Sequence, residues 1–318
     1  MNKKLHRDGL LAELASVKQL LERTTDAEPA TRLTLNAKRE DLEELLDSIE
    51  REPDTLASVA LYFGGSPVTG SRSIESQFAA RALEQYQDVV SKKLAVHETG
   101  GLQERGPVPS SSASRLDITN IVHGSFGFLL EEHAPDGAPF LKSSLRETVE
   151  SVTNILDGFS NENEESYNQI IDEIDERLFT SIGKLIKNIH LAHATFRLVE
   201  GDRDRAYTFD AVERAFIRIE RTDIVEDEYT IQGSLVGIVP YGRKFELRDL
   251  TSGEIVSGSI GPSLSRDFLE RIEQDEALLG QDWSARLQKK TTRRPNGSSR
   301  TVFTLLDLAK VGELPNPD

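Results

Sequence analysis

The stretch from Tyr229 to Leu308 constrains the chain most. Its apolar periodicity reads as three strands, then a helix, then two more strands. Thr230 to Val239 is β-rich and carries Gly233 and Gly237, which in a strand mark a bulge or sharp bend. Phe245 and Leu247 alternate with Lys244, Glu246 and Arg248, giving one wet and one dry face. Thr251-Ser252-Gly253 turns the chain into a third strand, Glu254 to Ile260, which Pro262 ends. Ser263 or Ser265 can cap a helix that carries Leu264, Phe268 and Ile272 on one face. Trp283, Ala285 and Leu287 alternate in strand four. Pro295-Asn296-Gly297 is a hairpin turn, and Thr301 to Leu308 is strand five.

This element order resembles an OB-fold, a five-stranded barrel with a helix between its third and fourth strands. An SH3-like barrel with an inserted helix is the competing wiring. Basic residues gather at two of its loops. Lys289, Lys290, Arg293, Arg294 and Arg300 surround the last hairpin, and Arg243 and Lys244 lie between strands one and two. In an OB-fold these loops flank the ligand groove, so single-stranded nucleic acid is the partner the resemblance implies. Tyr241 is the one obvious stacking residue nearby. The plainer readings are a solvated hairpin tip, or a basic tip docked on the chain's own acidic helices.

Ahead of the barrel, Leu10, Leu14, Val17 and Leu21 form one helical seam and Leu35, Leu42, Leu46 and Ile49 a second. Between them lie Thr24, Thr25 and Pro29, so residues 1–53 read as an antiparallel helical hairpin. Such a hairpin packs on its own chain, or it serves self-association or partner docking. Residues 54–222 read as a mixed α+β unit. It has a strand from Leu56 to Phe63, a helix from about Ser73 and a loop rich in Gly, Pro and Ser from Val96 to Ser114. A β-hairpin follows around His123-Gly124. A helix opens on the capping box Ser144 to Glu147, and one long helix runs from Asn163 to about His193. Asp210 to Glu220 reads as a further helix. Asp223 to Glu228 is an acidic linker, and 229–310 is the barrel. The class is therefore α+β, with a small sheet covered by helices on one face.

The 318 residues carry a net charge of -16 and no cysteine. Thiolate metal sites, disulfides and Cys nucleophiles are excluded, and wholesale nucleic-acid or membrane binding is disfavoured. No apolar run has the length of a leader or a membrane span, which reads as cytoplasmic. Gly65 to Gly70, followed by Ser71-Arg72-Ser73, has the spacing of a P-loop, but Ser71 stands where the lysine belongs. Gly70, Ser71, Arg72 and Ser73 at a helix start remain anion-site candidates; a plain capped turn is the simpler expectation. His190 and His193 lack a third metal ligand. Glu131, Glu132, His133 and Asp136 form a rim that could serve acid–base work or simply be solvated. No cofactor is expected. The chain reads as a non-enzymatic modular binding protein, oligomerising or docking through its helices, with a barrel for nucleic acid. The alternatives are a purely protein–protein accessory or regulatory subunit, or an enzyme using the 64–73 loop or the 131–136 rim.

Overall fold

The computed structural model describes residues 2–24, 28–51, 53–99, 112–122, 126–133, 141–265, 269 and 280–310. The chain begins with α1 (Lys3–Arg23) and α2 (Pro29–Arg51), which pack as an antiparallel hairpin. Leu10, Leu14 and Val17 bury against Leu42 and Ile49, the expected seam. Lys38–Glu13 at 2.6 Å and Lys18–Glu43 at 3.1 Å bridge the two helices along its flank. Asn2 does two jobs at the hairpin's base. Its Oδ1 accepts from Leu5 N–H, capping α1, while its Nδ2 donates to the carbonyls of Ser58 and Val199 in the sheet.

The centre runs through β1 (Ser58–Gly65), a two-stranded ribbon of β2 (Val68–Thr69) and β3 (Ser73–Ile74), α3 (Ser76–Thr99), β4 (Leu116–Val122) and β5 (Phe126–Glu132). Then come α4 (Ser144–Ser160), α5 (Glu164–Glu173), α6 (Glu176–Leu191), β6 (Ala194–Glu200), β7 (Arg203–Tyr207) and α7 (Phe209–Glu220). The sheet order is β4-β5-β1-β6-β7, antiparallel at every junction. Strand alternation sends Val59, Leu61 and Phe63 into the large core beneath the helices. Ala60 and Tyr62 point the other way, where Leu5 of α1 covers them with Leu129 and Val199. Helices thus layer one face, as expected, and the foot of the hairpin sits on the other.

The expected single helix from Asn163 to His193 is two helices. Ile174 and Asp175 are extended, and Asp175 caps α6 by accepting from Leu178 N–H at 2.7 Å. The apolar stripe Tyr167, Ile171, Ile174, Leu178 continues across the break because all four are buried in the same core, so periodicity alone could not show it. The helix expected from Ser73 starts instead at Ser76, after the β2–β3 ribbon. The helix expected over Asp210 to Glu220 is α7. At the far end of the sheet Arg146, 6% exposed, donates to Glu200 and to Asp54, the latter at 2.9 Å. Burial holds the Glu200 carboxyl above its ordinary range despite that guanidinium.

The C-terminal strands β8 (Asp223–Val239), β9 (Lys244–Asp249), β10 (Ile255–Ile260), β11 (Asp282–Arg293) and β12 (Ser299–Lys310) close into a barrel in the order β10-β12-β11-β8-β9. β10 pairs with β12 in parallel, Ser259 opposite Thr304. The third and fourth strands are therefore not neighbours, as they would be in a simple meander, and the wiring is OB-like. Gly258 allows that approach: a Cβ there would stand 2.0 Å from the Phe303 carbonyl oxygen. The expected bulge is present, with the β8–β9 register shifting between Leu235 and Gly237. Of the helix expected between strands three and four, Leu269 is described; it is buried and its N–H reaches Ser265 O at 3.1 Å. Phe268 and Ile272 lie outside the described residues, as do the turn His123–Ser125 and most of the Val96–Ser114 loop.

The acidic linker expected at Asp223–Glu228 is the first part of β8. Its residues face β11 in register, with Asp223 opposite Arg293, Glu226 opposite Lys290 and Asp227 opposite Lys289. The segment pairs as a strand with charged residues on both sides, none of these three opposed pairs closing into an ion pair among the described residues, and so it leaves no apolar signature. Among the described residues no helix is long and apolar enough to cross a membrane.

The buried ion pair gives the first test. Arg146→Met leaves Glu200 charged and uncompensated, so urea unfolding should show a loss of about 3–5 kcal/mol. Arg146→Met with Glu200→Gln should recover much of it; an equal loss in both variants would show that shape and not charge matters there.

Candidate functional site

The basic residues expected to line one groove stand at two ends of the barrel. The β11–β12 hairpin tip lies beside Asp223, where β8 begins, and the loop with Tyr241 and Arg243 follows Val239, where β8 ends. At 3.3 Å per residue the 17 residues of β8 separate the two by roughly 50 Å along the strand.

At the hairpin end the cations face inward, onto the central helices. The Lys290 ammonium donates to the carbonyl of Ile171 at 3.0 Å, of Asp172 at 2.9 Å and of Ile174. These are among the last carbonyls of α5, which have no partner within the helix. Arg294 Nη2 donates to both oxygens of Asp172, at 2.7 and 2.9 Å, and Arg300 Nη1 reaches the same carboxylate. Glu176 Oε2 accepts from the backbone N–H of Glu226 at 3.3 Å. Burial and the neighbouring Asp175 push the Glu226 carboxyl up to about 7, and burial lowers Lys290. Burial also raises Asp175, whose Oδ2 has no hydrogen-bond partner among the described residues. The seam between barrel and centre is thus a half-buried layer of charges laid on the end of one helix and the start of the next.

Lys289 and Arg293, on the same strand, make no ion pair among the described residues, and the register sets them opposite Asp227 and Asp223. At the other end Arg243, with φ +44°, reaches across to the chain leaving β10. Its guanidinium donates to the carbonyls of Ile260, Gly261 and Leu264. Lys244 is exposed, and Tyr241 is 75% exposed. The face of β9 and β10 between the two ends carries Lys244, Glu246, Arg248, Ile255, Ser257 and Ser259, with no aromatic ring.

The other candidates are not assembled into one site. Gly70, Ser71 and Arg72 form the turn of the β2–β3 ribbon, and Ser73 begins β3, so their amides are not the first-turn amides of α3. Glu75 precedes that helix instead and already offers it a negative charge. Glu131 accepts from Ser58 and Thr119, and Glu132 from Ala57 N–H and Ser143 Oγ. Both sit by the start of β1 whereas the 64–73 loop follows its end, so the two do not share a pocket. His133 is 87% exposed and 3.6 Å from Asp117; Asp136 lies outside the described residues.

His190 binds Glu213 at 2.5 Å and stacks on Phe216 with centroids 4.0 Å apart, while His193 stacks on Phe209. Among the described residues no group of three or more His, Asp or Glu is placed to hold a metal. Ser181 contacts both Lys92 and Asp88, a pattern that suggests a nucleophile. Yet Ser181 is 1% exposed between α3 and α6, and Lys92 is itself paired with Asp88. A cavity of about 230 Å³ opens where β1, β6 and β7 meet. Its rings Phe63, Phe196 and Tyr207 are apolar walls, and its guanidinium, Arg197, is held bidentately by Asp204.

The docking of the basic tip on the chain's own acidic helices, one of the plainer expectations, is what is found. Sequence reasoning did not single out Asp172 and the end of α5 as the place, whose signal was the acidic run Asp172-Glu173-Ile174-Asp175-Glu176. No protein-family model matches the chain, and neither the curated proteins nor the solved structures give a match.

Asp172→Ala removes the acceptor of two guanidinium groups, of which Arg294 is 18% exposed. A charged hydrogen bond of this kind contributes about 1.5–3 kcal/mol. Stability should fall by that order, and the β11–β12 hairpin should become cleavable by trypsin under native conditions. Unchanged proteolysis would show that Lys290 alone keeps the seam closed.

Proposed function

We propose that this chain is a non-enzymatic interaction protein that self-associates through its α1–α2 hairpin, the barrel being docked on the centre as part of the same scaffold. One observation carries the reading: the hairpin is long and its attachment is at its base. Helices of 21 and 23 residues extend some 30 Å. The contacts to the sheet come from the start of α1, through Asn2, Leu5 and the Arg7–Asp202 pair. Beyond it the described hairpin core is one thin seam. Leu11 at 47% and Leu20 at 51% exposure lie on either flank of the Leu10–Leu14–Val17 stripe, and Leu45, at 47%, lies beside Leu42. Short helices are marginal in water without a packed face. A second hairpin laid side by side would form a four-helix bundle and cover the leucines of the flank it meets.

Light scattering across a concentration series tests this. The mass should approach twice 35.4 kDa and fall to one chain in Leu11→Lys with Leu45→Lys. A single-chain mass for the parent at every concentration would refute self-association.

The nucleic-acid reading of the barrel keeps the support of Lys244, Lys289 and Arg293, whose charges make no ion pair among the described residues. Two contacts at the hairpin end imply a log–log salt slope of only about -1 to -2. Fluorescence anisotropy with a labelled single strand should show at most that slope, abolished by Lys289→Glu with Arg293→Glu. A steeper slope would mean that Lys290, Arg294 and Arg300 leave Asp172 to meet phosphate.

A further inference from the structure

The seam between the barrel and the central helices carries a feature that packing alone does not require. Lys290 has three N–H donors, and three carbonyls of α5 and its cap accept them. Glu226 lies opposite Lys290 on β8, but no donor of that ammonium is left to bind it. Among the described residues its carboxylate has one hydrogen bond, from Gln288 Nε2 at 3.4 Å. Around it stand Asp175 and Glu176 from the start of α6, both of its own sign, with Lys290 as the cation acting on it. Asp172 on α5 is neutralised by Arg294 and Arg300 of β12 and its turn, and Arg177 on α6 acts on Asp175. The ionised Glu226 side chain is thus the member of this layer that the docked arrangement supports least.

We propose that the seam is a proton-controlled latch: protonation of Glu226 seats the β8–β11 ribbon on α5 and α6, and its deprotonation loosens that contact without unfolding the barrel or the sheet. The sign follows from linkage. The docked carboxyl titrates at about 7 against an ordinary 4.5, so the docked state binds the proton more tightly. Docking is then fully supported below about pH 4.5 and weakens as pH rises through 7. Asp175, also raised, acts in the same direction from lower pH. Lys290, lowered, acts in the opposite direction, in a window reaching up to its ordinary 10.5. The displacement of Glu226 allows at most a ~300-fold change in the docking equilibrium over the whole window, of which about tenfold falls between pH 6 and 8, and solvent screening at this partly exposed group makes that tenfold an upper bound.

Hydrogen exchange of the intact protein reads this directly once intrinsic rates are corrected for pH. In the parent, protection at residues 223–229 and 288–293 should fall severalfold, up to about tenfold, from pH 6 to pH 8, while residues 196–199 in the sheet and 245–247 in the barrel stay constant. Glu226→Gln, neutral at every pH, should keep the ribbon protected at pH 8. A parent ribbon whose protection does not change with pH overturns the latch. So does a fall shared equally by sheet and barrel, which would report global stability, and so does a Glu226→Gln protein with the parent's pH dependence.

Discussion

The arrangement of the two large units rests on one ammonium at the end of one helix. The final carbonyls of a helix carry partial negative charge and have no partner within it. At α5 they would face the barrel unsatisfied, because the chain turns at once into α6 with only Ile174 and Asp175 between. Lys290 fills that position from a strand 116 residues further on. Its neighbours then acquire their places. Asp172, at the same helix end, becomes the acceptor for Arg294 and Arg300, and Asp175 is fixed by its cap on α6. The long β8 strand delivers Ile224 to the central core and Glu226 to the seam.

The same device recurs. Arg218, 3% exposed, donates to the carbonyls of Gly158, Phe159 and Asn161 where α4 ends, and Glu164 neutralises it. Arg243 does the same for the chain leaving β10. In a chain with 38 Lys and Arg against 54 Asp and Glu, each cation drawn into a helix end or loop closure is one fewer facing solvent. That is the physical reason a basic run near Lys289 to Arg300 does not become an open basic groove. The run meets the end of an acidic helix on one side and the acidic start of β8 on the other.

What the sequence made legible follows from where apolar side chains dominate. The α1–α2 seam, the alternation of Phe245 and Leu247, and the bulge near Gly237 were readable because local pattern and tertiary burial agree there. The break at Ile174–Asp175 was hidden because the buried stripe passes straight through it. The β8 start was hidden for the opposite reason. Asp223, Glu226 and Asp227 look like a solvated linker until the cations of β11 are placed across from them, 66 residues or so away in the chain. Strand pairing over that separation has no local signature. The candidate sites failed to combine for a simpler cause: strand length. β1 has the Gly64 loop at one end and Glu131 of β5 beside the other, and the two basic clusters lie likewise at opposite ends of β8.

An OB-like barrel does not by itself make a nucleic-acid protein, and here the wiring shows why. The strand order fixes which loops can reach the face of β9 and β10, but the chemistry of that face must come from side chains. This one presents a mixed line of Lys244, Glu246 and Arg248 beside serines, with no ring to stack a base. The long β8 meanwhile carries the hairpin end of the barrel away from that face and onto the central helices. The same barrel thus carries the contact of Lys290 with the end of α5. The hairpin at the other end of the chain is attached at its base and leaves Leu11, Leu20, Leu33 and Leu45 exposed along two long helices, which is why an interface is sought there.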